Sequence, residues 1–287
     1  MIERLHSFGP EAQLFGFASQ PSAGVSPDRP AFILLNAGLM HRAGPFRWYV
    51  DLARQLAEAG TLTFRFDHVG VGDGPTIAIG GAASPNQLEE QVTLEVRAAM
   101  DLLTETYGVT SFIVGGMCYG ALEAHRVALV EKRVTSLVLL DGFAYKTAAY
   151  YRELVLRKAT TPASWPGIAV RVAQSVVKAV GQLSGPSAKV TLDEEEIFDN
   201  WPNRAEAAAG VRTLAARGVK MLFVYTGGWS DFVDESQFDE MFPGIRGRDT
   251  RVVFLPHADH SYLTVAQRET MMRAVVDFVS RQPTPKL

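Results

Sequence analysis

Six short, almost entirely apolar runs most strongly constrain how this 287-residue chain can fold. They read AFILLN from Ala31, TLTFRF from Thr61, SFIVGG from Ser111, VTSLVLL from Val134, KMLFVY from Lys220 and RVVFLP from Arg251. Continuous apolar strands are typical of a parallel sheet that is covered on both faces. We therefore predict a central sheet buried between two layers of helices.

Longer amphipathic stretches separate these runs. Apolar residues recur at three- and four-residue spacing from Arg47, Gln87 and Ala121, and the first stretch ends at Gly60, a helix stop. The order strand, helix, strand predicts right-handed crossovers and a mostly parallel, doubly wound α/β fold. The segment LFGFAS near Leu14 predicts an additional antiparallel edge strand.

Residues 146–203 interrupt this alternation. They contain the helix-like segments AAYYRELVLRKAT and GIAVRVAQSVVKAVGQL and no convincing strand. We interpret them as a helical cap inserted into a core of residues 1–145 and 204–287, at the sheet edge where ligands bind in open α/β folds. The alternative is an extra pair of packing helices.

Composition excludes several classes of partner. Lys and Arg number 28 against 31 Asp and Glu, for a net charge of −3 without a long run of one sign, which argues against nucleic acid as a partner. No segment has the ~18 uninterrupted apolar residues of a membrane span, and the N-terminus lacks an apolar block of signal-peptide length. We expect a cytoplasmic protein, and the sequence says little about its oligomeric state.

The one cysteine, Cys118, lies in a Gly-x-Cys-x-Gly frame between Gly116 and Gly120. A strand precedes this frame and a helix follows it, the context of a nucleophile elbow, in which glycines relieve crowding at a sharp turn. The helix N-terminus would also favour the thiolate. The alternative is that Cys118 is a small buried core residue. We predict that it is a nucleophile.

An acid and a histidine follow in the expected order. Asp231 comes after the strand KMLFVY, and His260 comes after RVVFLP. The order nucleophile, acid, histidine is that of α/β-hydrolases. Asp234 and Asp141 remain alternative acids, and His257 is the alternative histidine.

The segments FILLNAG, FRFDHVGVGDG and GMCYG together resemble the α/β-hydrolase superfamily with a helical cap. They are similar to a bacterial subgroup that has cysteine in the elbow, and such proteins often accompany exopolysaccharide or natural-product gene clusters. The resemblance implies that Cys118 is the nucleophile, His260 the general base and Asp231 the residue that orients it.

The resemblance also implies an oxyanion hole. Its donors would be the backbone N–H of Tyr119 and that of Gly38 or Leu39, with Asn36-Ala37 in place of the usual His-Gly. His41 and Met117 are candidate pocket residues.

Neither a metal nor another cofactor is expected. HADH brings His257, Asp259 and His260 close together, but no second cluster supplies further ligands. The segment GVGDG at 70–74 lacks the spacing of a nucleotide-binding loop, and we predict a turn there.

A cysteine nucleophile limits the classes of substrate that the enzyme is expected to use. Its acyl-enzyme is a thioester, so esters, lactones and thioesters are better substrates than peptide bonds. We expect a small-molecule acyl substrate, free or linked to a carrier protein or CoA, with hydrolysis as the leading reaction. The alternatives are an acyltransferase or aminoacyl shuttle that uses the same cysteine and, less favoured, a non-catalytic ligand-binding protein.

Overall fold

A computed structural model of the chain describes residues 1–76, 85–160, 201–229, 231–247 and 249–282. Its centre is an eight-stranded sheet. The strands are β1 (Ile2–Phe8), β2 (Leu14–Gln20), β3 (Ala31–Leu34), β4 (Thr63–Phe66), β5 (Phe112–Met117), β6 (Val134–Leu140), β7 (Lys220–Thr226) and β8 (Thr250–Leu255).

The strands lie in the order β1-β2-β4-β3-β5-β6-β7-β8. The pairs β1–β2 and β2–β4 are antiparallel, and every pair from β4 to β8 is parallel. All six predicted apolar strands are confirmed. The predicted antiparallel strand at Leu14 is also present, but it is not at the edge, because the N-terminal strand β1 pairs with its outer side.

The described helices flank this sheet. They are α1 (Trp48–Glu58), α2 (Pro85–Tyr107), α3 (Tyr119–Val130), α4 (Ala148–Thr160), α5 (Arg204–Ala216), α6 (Gln237–Met241) and α7 (Val265–Ser280). Short 3-10 turns cover Pro10–Ala12 and Pro45–Arg47. The three helices predicted in the core correspond to α1, α2 and α3.

Alternate strand residues point to opposite faces of the sheet and build two apolar clusters. Ile33 and Val114 belong to the cluster formed with α2, α3 and α5. Phe32 and Ile113 belong to the cluster formed with α1 and α7. Both faces are therefore covered, as the continuous apolar strands predict.

The predicted insertion is described only at its two ends. Its first helix-like segment forms α4, whereas the second, GIAVRVAQSVVKAVGQL, lies outside the described residues. Within the described part of the chain, no helix is both long and apolar enough to cross a membrane.

Candidate active site

Cys118 occupies a sharp turn between β5 and α3. Its backbone has φ 56° and ψ −119°, a conformation that non-glycine residues rarely adopt and that costs of the order of 1–3 kcal/mol. Its N–H donates to the Leu140 carbonyl at 2.8 Å, which holds the turn against the end of the neighbouring strand β6. The strained turn places Cys118 at the carboxyl edge of the sheet.

The two glycines of the frame are needed because backbone atoms approach them closely. A Cβ on Gly120 would lie 2.3 Å from the Asn36 carbonyl oxygen, and one on Gly116 would lie 2.9 Å from the Gly120 carbonyl carbon and 3.0 Å from the Leu35 oxygen. Any side chain at Gly120 would push the elbow away from the loop after β3. The Gly-x-Cys-x-Gly pattern therefore reflects contact between this loop and the elbow.

His260 lies between a carboxylate and the thiol. Its Nδ1 is 2.9 Å from Oδ2 of Asp141, and its ring also interacts with the Cys118 thiol. Burial alone would lower the pKa of His260, but the interactions with Asp141 and Cys118 outweigh it and raise this pKa to about 9. The contacts therefore favour the imidazolium form.

Asp141 is held rigidly at the end of β6. Its carboxylate is fully buried, and Oδ1 accepts the Thr226 N–H at 2.7 Å while Oδ2 accepts the Thr226 hydroxyl at 2.6 Å. Its own N–H donates to the Val224 carbonyl at 2.8 Å, and its φ is 43°. Three hydrogen bonds to β7 thus fix the carboxylate that contacts His260.

The structure places a carboxylate other than that of Asp231 beside His260. Asp231 does follow β7, but its carboxylate is 38% exposed and pairs with Lys146 at 3.3 Å. The other alternative, Asp234, accepts hydrogen bonds from the N–H and hydroxyl of Ser236 in its own loop. The carboxylate at Nδ1 of His260 belongs to Asp141, one of the alternatives that the sequence leaves open.

The predicted oxyanion donors lie where the loop after β3 meets the elbow. Tyr119 is the first residue of α3, so its N–H precedes the first intrahelical hydrogen bond. The loop reaches the elbow at Gly120, as described above, and continues into Gly38 and Leu39. Gly38 has a φ of 58°, and a Cβ there would meet nothing within 4 Å. The Leu39 side chain is 88% exposed. The arrangement is compatible with either loop residue as the second donor.

Asn36 fixes this loop in the absence of the usual histidine. Its amide donates to Asp67 Oδ1 at 2.9 Å and to the Met40 carbonyl at 2.8 Å, and its Oδ1 accepts the His68 N–H at 3.1 Å. The N–H of Arg42 also donates to Asp67, at 2.5 Å. The loop after β3 is therefore tied to the predicted turn after β4, where residues 70–74 do form turns.

The two candidate pocket residues lie in different environments. Met117 is 4% exposed and packs in the apolar cluster with α1 and α7, so the structure places its side chain in the core. His41 is partly exposed, and its Nε2 is 3.1 Å from Asp73. The alternative histidine, His257, is exposed on the surface, where its carbonyl accepts from Gln267.

Among the described residues, one group brings possible metal ligands together, and the sequence motif HADH is a second group of suitable composition. His41, Asp67 and Asp73 present ligand atoms within 4.8 Å of one another, but the Arg42 guanidinium contacts both carboxylates, at 2.9 Å for Asp73. In HADH, Asp259 instead binds its own loop through the N–H groups of Ser261 and Leu263. We therefore assign no metal to either group.

Two positions near His260 were not predicted from the sequence. Thr226 binds Asp141 as described, and the Trp229 indole stacks on the His260 imidazole with ring centroids 4.6 Å apart. Both belong to the segment TGGW. The paired glycines in it are the sequence signal for the close backbone approach that brings Trp229 to the histidine.

Comparison with solved structures identifies the same fold at low sequence identity. The α/β hydrolase GrgF from Penicillium sp. sh18 is 14% identical, with 98% of each chain covered and a TM-score of 0.59. An α-β serine hydrolase homologue from Coxiella burnetii is 16% identical, with 96% of each chain covered and a TM-score of 0.54. A monoacylglycerol lipase from Paleococcus ferrophilus is 16% identical, with 93% of this chain and 98% of the lipase covered and a TM-score of 0.51.

The amino-acid sequence itself also matches a protein family. The sequence model for the alpha/beta hydrolase fold family matches residues 30–178, more than half of the chain. That range includes β3, the turn after β4, the Cys118 elbow and Asp141. The chain belongs to the alpha/beta hydrolase fold family and is an enzyme of that family.

Proposed function

We propose that the protein hydrolyses an ester or thioester through a Cys118 acyl-enzyme, with His260 as general base and Asp141 as the residue that orients it. The observation that carries this proposal is that His260 interacts with the Cys118 thiol and has its Nδ1 2.9 Å from the Asp141 carboxylate. The monoacylglycerol lipase among the structural neighbours supports the ester class by its name.

The proposed reaction has two steps. The Cys118 sulfur attacks the acyl carbonyl, while His260 first receives the thiol proton and then gives it to the departing alkoxide or thiolate. Backbone N–H groups of Tyr119 and of Gly38 or Leu39 stabilise the oxyanion. Water then attacks the thioester, its proton passes to His260, and the acid is released as the Cys118 sulfur departs and recovers a proton.

A thioester intermediate also supports a second candidate, acyl transfer. Its energy is close to that of a thioester substrate, so a bound alcohol, amine or thiol can take the place of water. Which acceptor is used depends on whether the predicted cap admits water or holds another nucleophile beside the thioester. We also propose that the substrate is a small molecule with an acyl group, which CoA or a carrier protein can carry.

The test uses short-chain p-nitrophenyl esters and acyl thioesters. Intact mass spectrometry is expected to detect an adduct of one acyl group on the wild-type protein and none on Cys118→Ala. Chromatography then separates free acid from transferred product when an amine or alcohol is added. If the wild type turns over these substrates and Cys118→Ala keeps that rate, the covalent mechanism is wrong. If neither adduct nor product forms, the non-catalytic binding alternative is favoured.

A further inference from the structure

The loop after β7 lies unusually close to the loop that carries His260. A Cβ on Gly227 would be 2.1 Å from the Pro256 carbonyl oxygen, and one on Gly228 would be 2.6 Å from the His260 backbone nitrogen. Both obstacles are backbone atoms, which cannot move aside as a flexible side chain can. Only glycine fits at these two positions in this arrangement.

Backbone hydrogen bonds hold the two loops together. The N–H of Gly227 donates to the Leu255 carbonyl at 3.0 Å, and that of Gly228 donates to the Ala258 carbonyl, also at 3.0 Å. The contact thus extends the β7–β8 pairing past the ends of both strands. It fixes the next residue, Trp229, relative to the histidine loop.

The result of this contact is a stacked pair of rings. The Trp229 indole and the His260 imidazole have centroids 4.6 Å apart and planes inclined by 30°. The face of an indole carries negative electrostatic potential and attracts a cation placed over it. Stacking therefore favours the protonated imidazole, the form that Asp141 also favours from the Nδ1 side.

We propose that the segment Thr226-Gly227-Gly228-Trp229 is the positioning element for His260, in which Thr226 orients Asp141 and the Trp229 ring holds the imidazolium beside Cys118. This inference rests on the proposed function for its catalytic meaning. Trp229 acts through the His260 ring on which it stacks, so it is a positioning residue. It acts by increasing the fraction of the imidazolium–thiolate pair.

The experiment measures His260 and Cys118 without a substrate. The midpoint of His260 protonation is followed by NMR of the imidazole nitrogens. The rate of Cys118 alkylation by iodoacetamide is followed against pH, and it reports one site because the chain has one cysteine. Trp229→Leu is expected to lower the His260 midpoint by about 1 pH unit and to slow Cys118 alkylation on the acidic side of its pH profile, because the thiolate loses part of the stabilisation by the imidazolium.

Trp229→Phe is the conservative control. It keeps an aromatic face and removes the indole N–H, which has no hydrogen-bond partner among the described residues. We expect it to restore most of the wild-type pH profile. If Trp229→Leu folds and keeps the wild-type profile, the inference is wrong.

A second measurement covers the case in which Trp229→Leu does not fold. Biosynthetic replacement of tryptophan by fluorinated analogues preserves the ring shape and weakens the negative potential of its face. The His260 midpoint is expected to fall stepwise with the number of fluorine atoms, and an unchanged midpoint would overturn the inference. Because neither readout needs turnover, a protein that forms no acyl adduct but shows these shifts would contradict the proposed function alone.

The glycines provide an independent test of the same element. Gly228→Ala is expected to displace Trp229 and to slow alkylation at least as much as Trp229→Leu does. Gly247→Ala is the matched control, because a Cβ there meets nothing within 4 Å. Equal alkylation rates in the two glycine variants would contradict the role assigned to the close loop contact.

Discussion

Asp141 and Asp231 both follow a buried strand, yet only one of them contacts the histidine. Asp141 directly ends β6, is fully buried and accepts two hydrogen bonds from Thr226. Asp231 comes five residues after the end of β7, is 38% exposed and pairs with Lys146. The partners that surround a carboxylate, rather than its order in the chain, therefore decide whether it can orient a histidine.

Replacing each of these two carboxylates by an amide should change kcat/KM by very different factors. Asp141→Asn is expected to lower kcat/KM about 1,000-fold, because an amide can neither fix the Nδ1–H tautomer of His260 nor stabilise its charge. Asp231→Asn, the matched control, is expected to stay within about two-fold, since exposed ion pairs contribute little. Steady-state kinetics with the best ester or thioester substrate measures both. Similar losses in the two variants would contradict the assignment of the acid.

The same contrast between partnered and unpartnered groups applies to two histidines. His260 has Asp141, whereas neither ring nitrogen of buried His125 has a hydrogen-bond partner within the described ranges. Burial lowers the pKa of His125 to about 4. A histidine with a depressed folded-state pKa contributes stability above its unfolded pKa of about 6.5, and this is lost as the pH falls.

This contrast predicts an acid-sensitive fold. Between pH 8 and pH 5, His125 alone is expected to reduce the free energy of unfolding by about 2 kcal/mol. Urea unfolding of the wild type and of His125→Leu at both pH values measures the difference, and the variant should lose less stability. His257→Leu, at an exposed position, is the control. If His125→Leu shows the wild-type pH slope, the unpartnered histidine is not its origin.

The smallest of the three effects tests how Asp141 is held. Thr226→Val removes the 2.6 Å hydroxyl bond and keeps the 2.7 Å backbone bond, so kcat/KM is expected to fall about ten-fold. Thr226→Ser retains a hydroxyl and is expected to recover most of this loss. Thermal unfolding of both variants separates a folding defect from a change in the site. A Thr226→Val enzyme with unchanged kinetics would mean that the backbone bond is sufficient.

Most strands of the sheet could be predicted from the sequence. The six apolar strands were recognisable because burial on both faces leaves no polar alternation. The N-terminal strand β1 was not predicted, since its sequence IERLHSF is rich in polar residues, and most of them are partly or fully exposed. Consequently β2 was expected at the edge, although pairing with β1 places it inside the sheet.

The sequence was most informative about the candidate site where the signal is local. Cys118 and its glycines form one motif, and His260 follows a recognisable strand. Asp141 was only an alternative acid in the sequence because its contacts come from residues far away along the chain, such as Thr226, which is 85 residues away. Trp229 was missed for a related reason, since its contact with His260 depends on the approach of two separate loops.

The anchoring of Asp141 has a consequence for how such an enzyme can diversify. The insertion begins a few residues beyond this carboxylate, and its bonds to Val224 and Thr226 attach it to β7, which lies on the far side of that insertion in the chain. On the interpretation of residues 146–203 as an insertion, we expect that a segment of another length or sequence can replace it without moving the Asp141 carboxylate. If the predicted cap selects the substrate, we expect its exchange to change substrate preference while the contacts of Asp141 with β7 and His260 are kept.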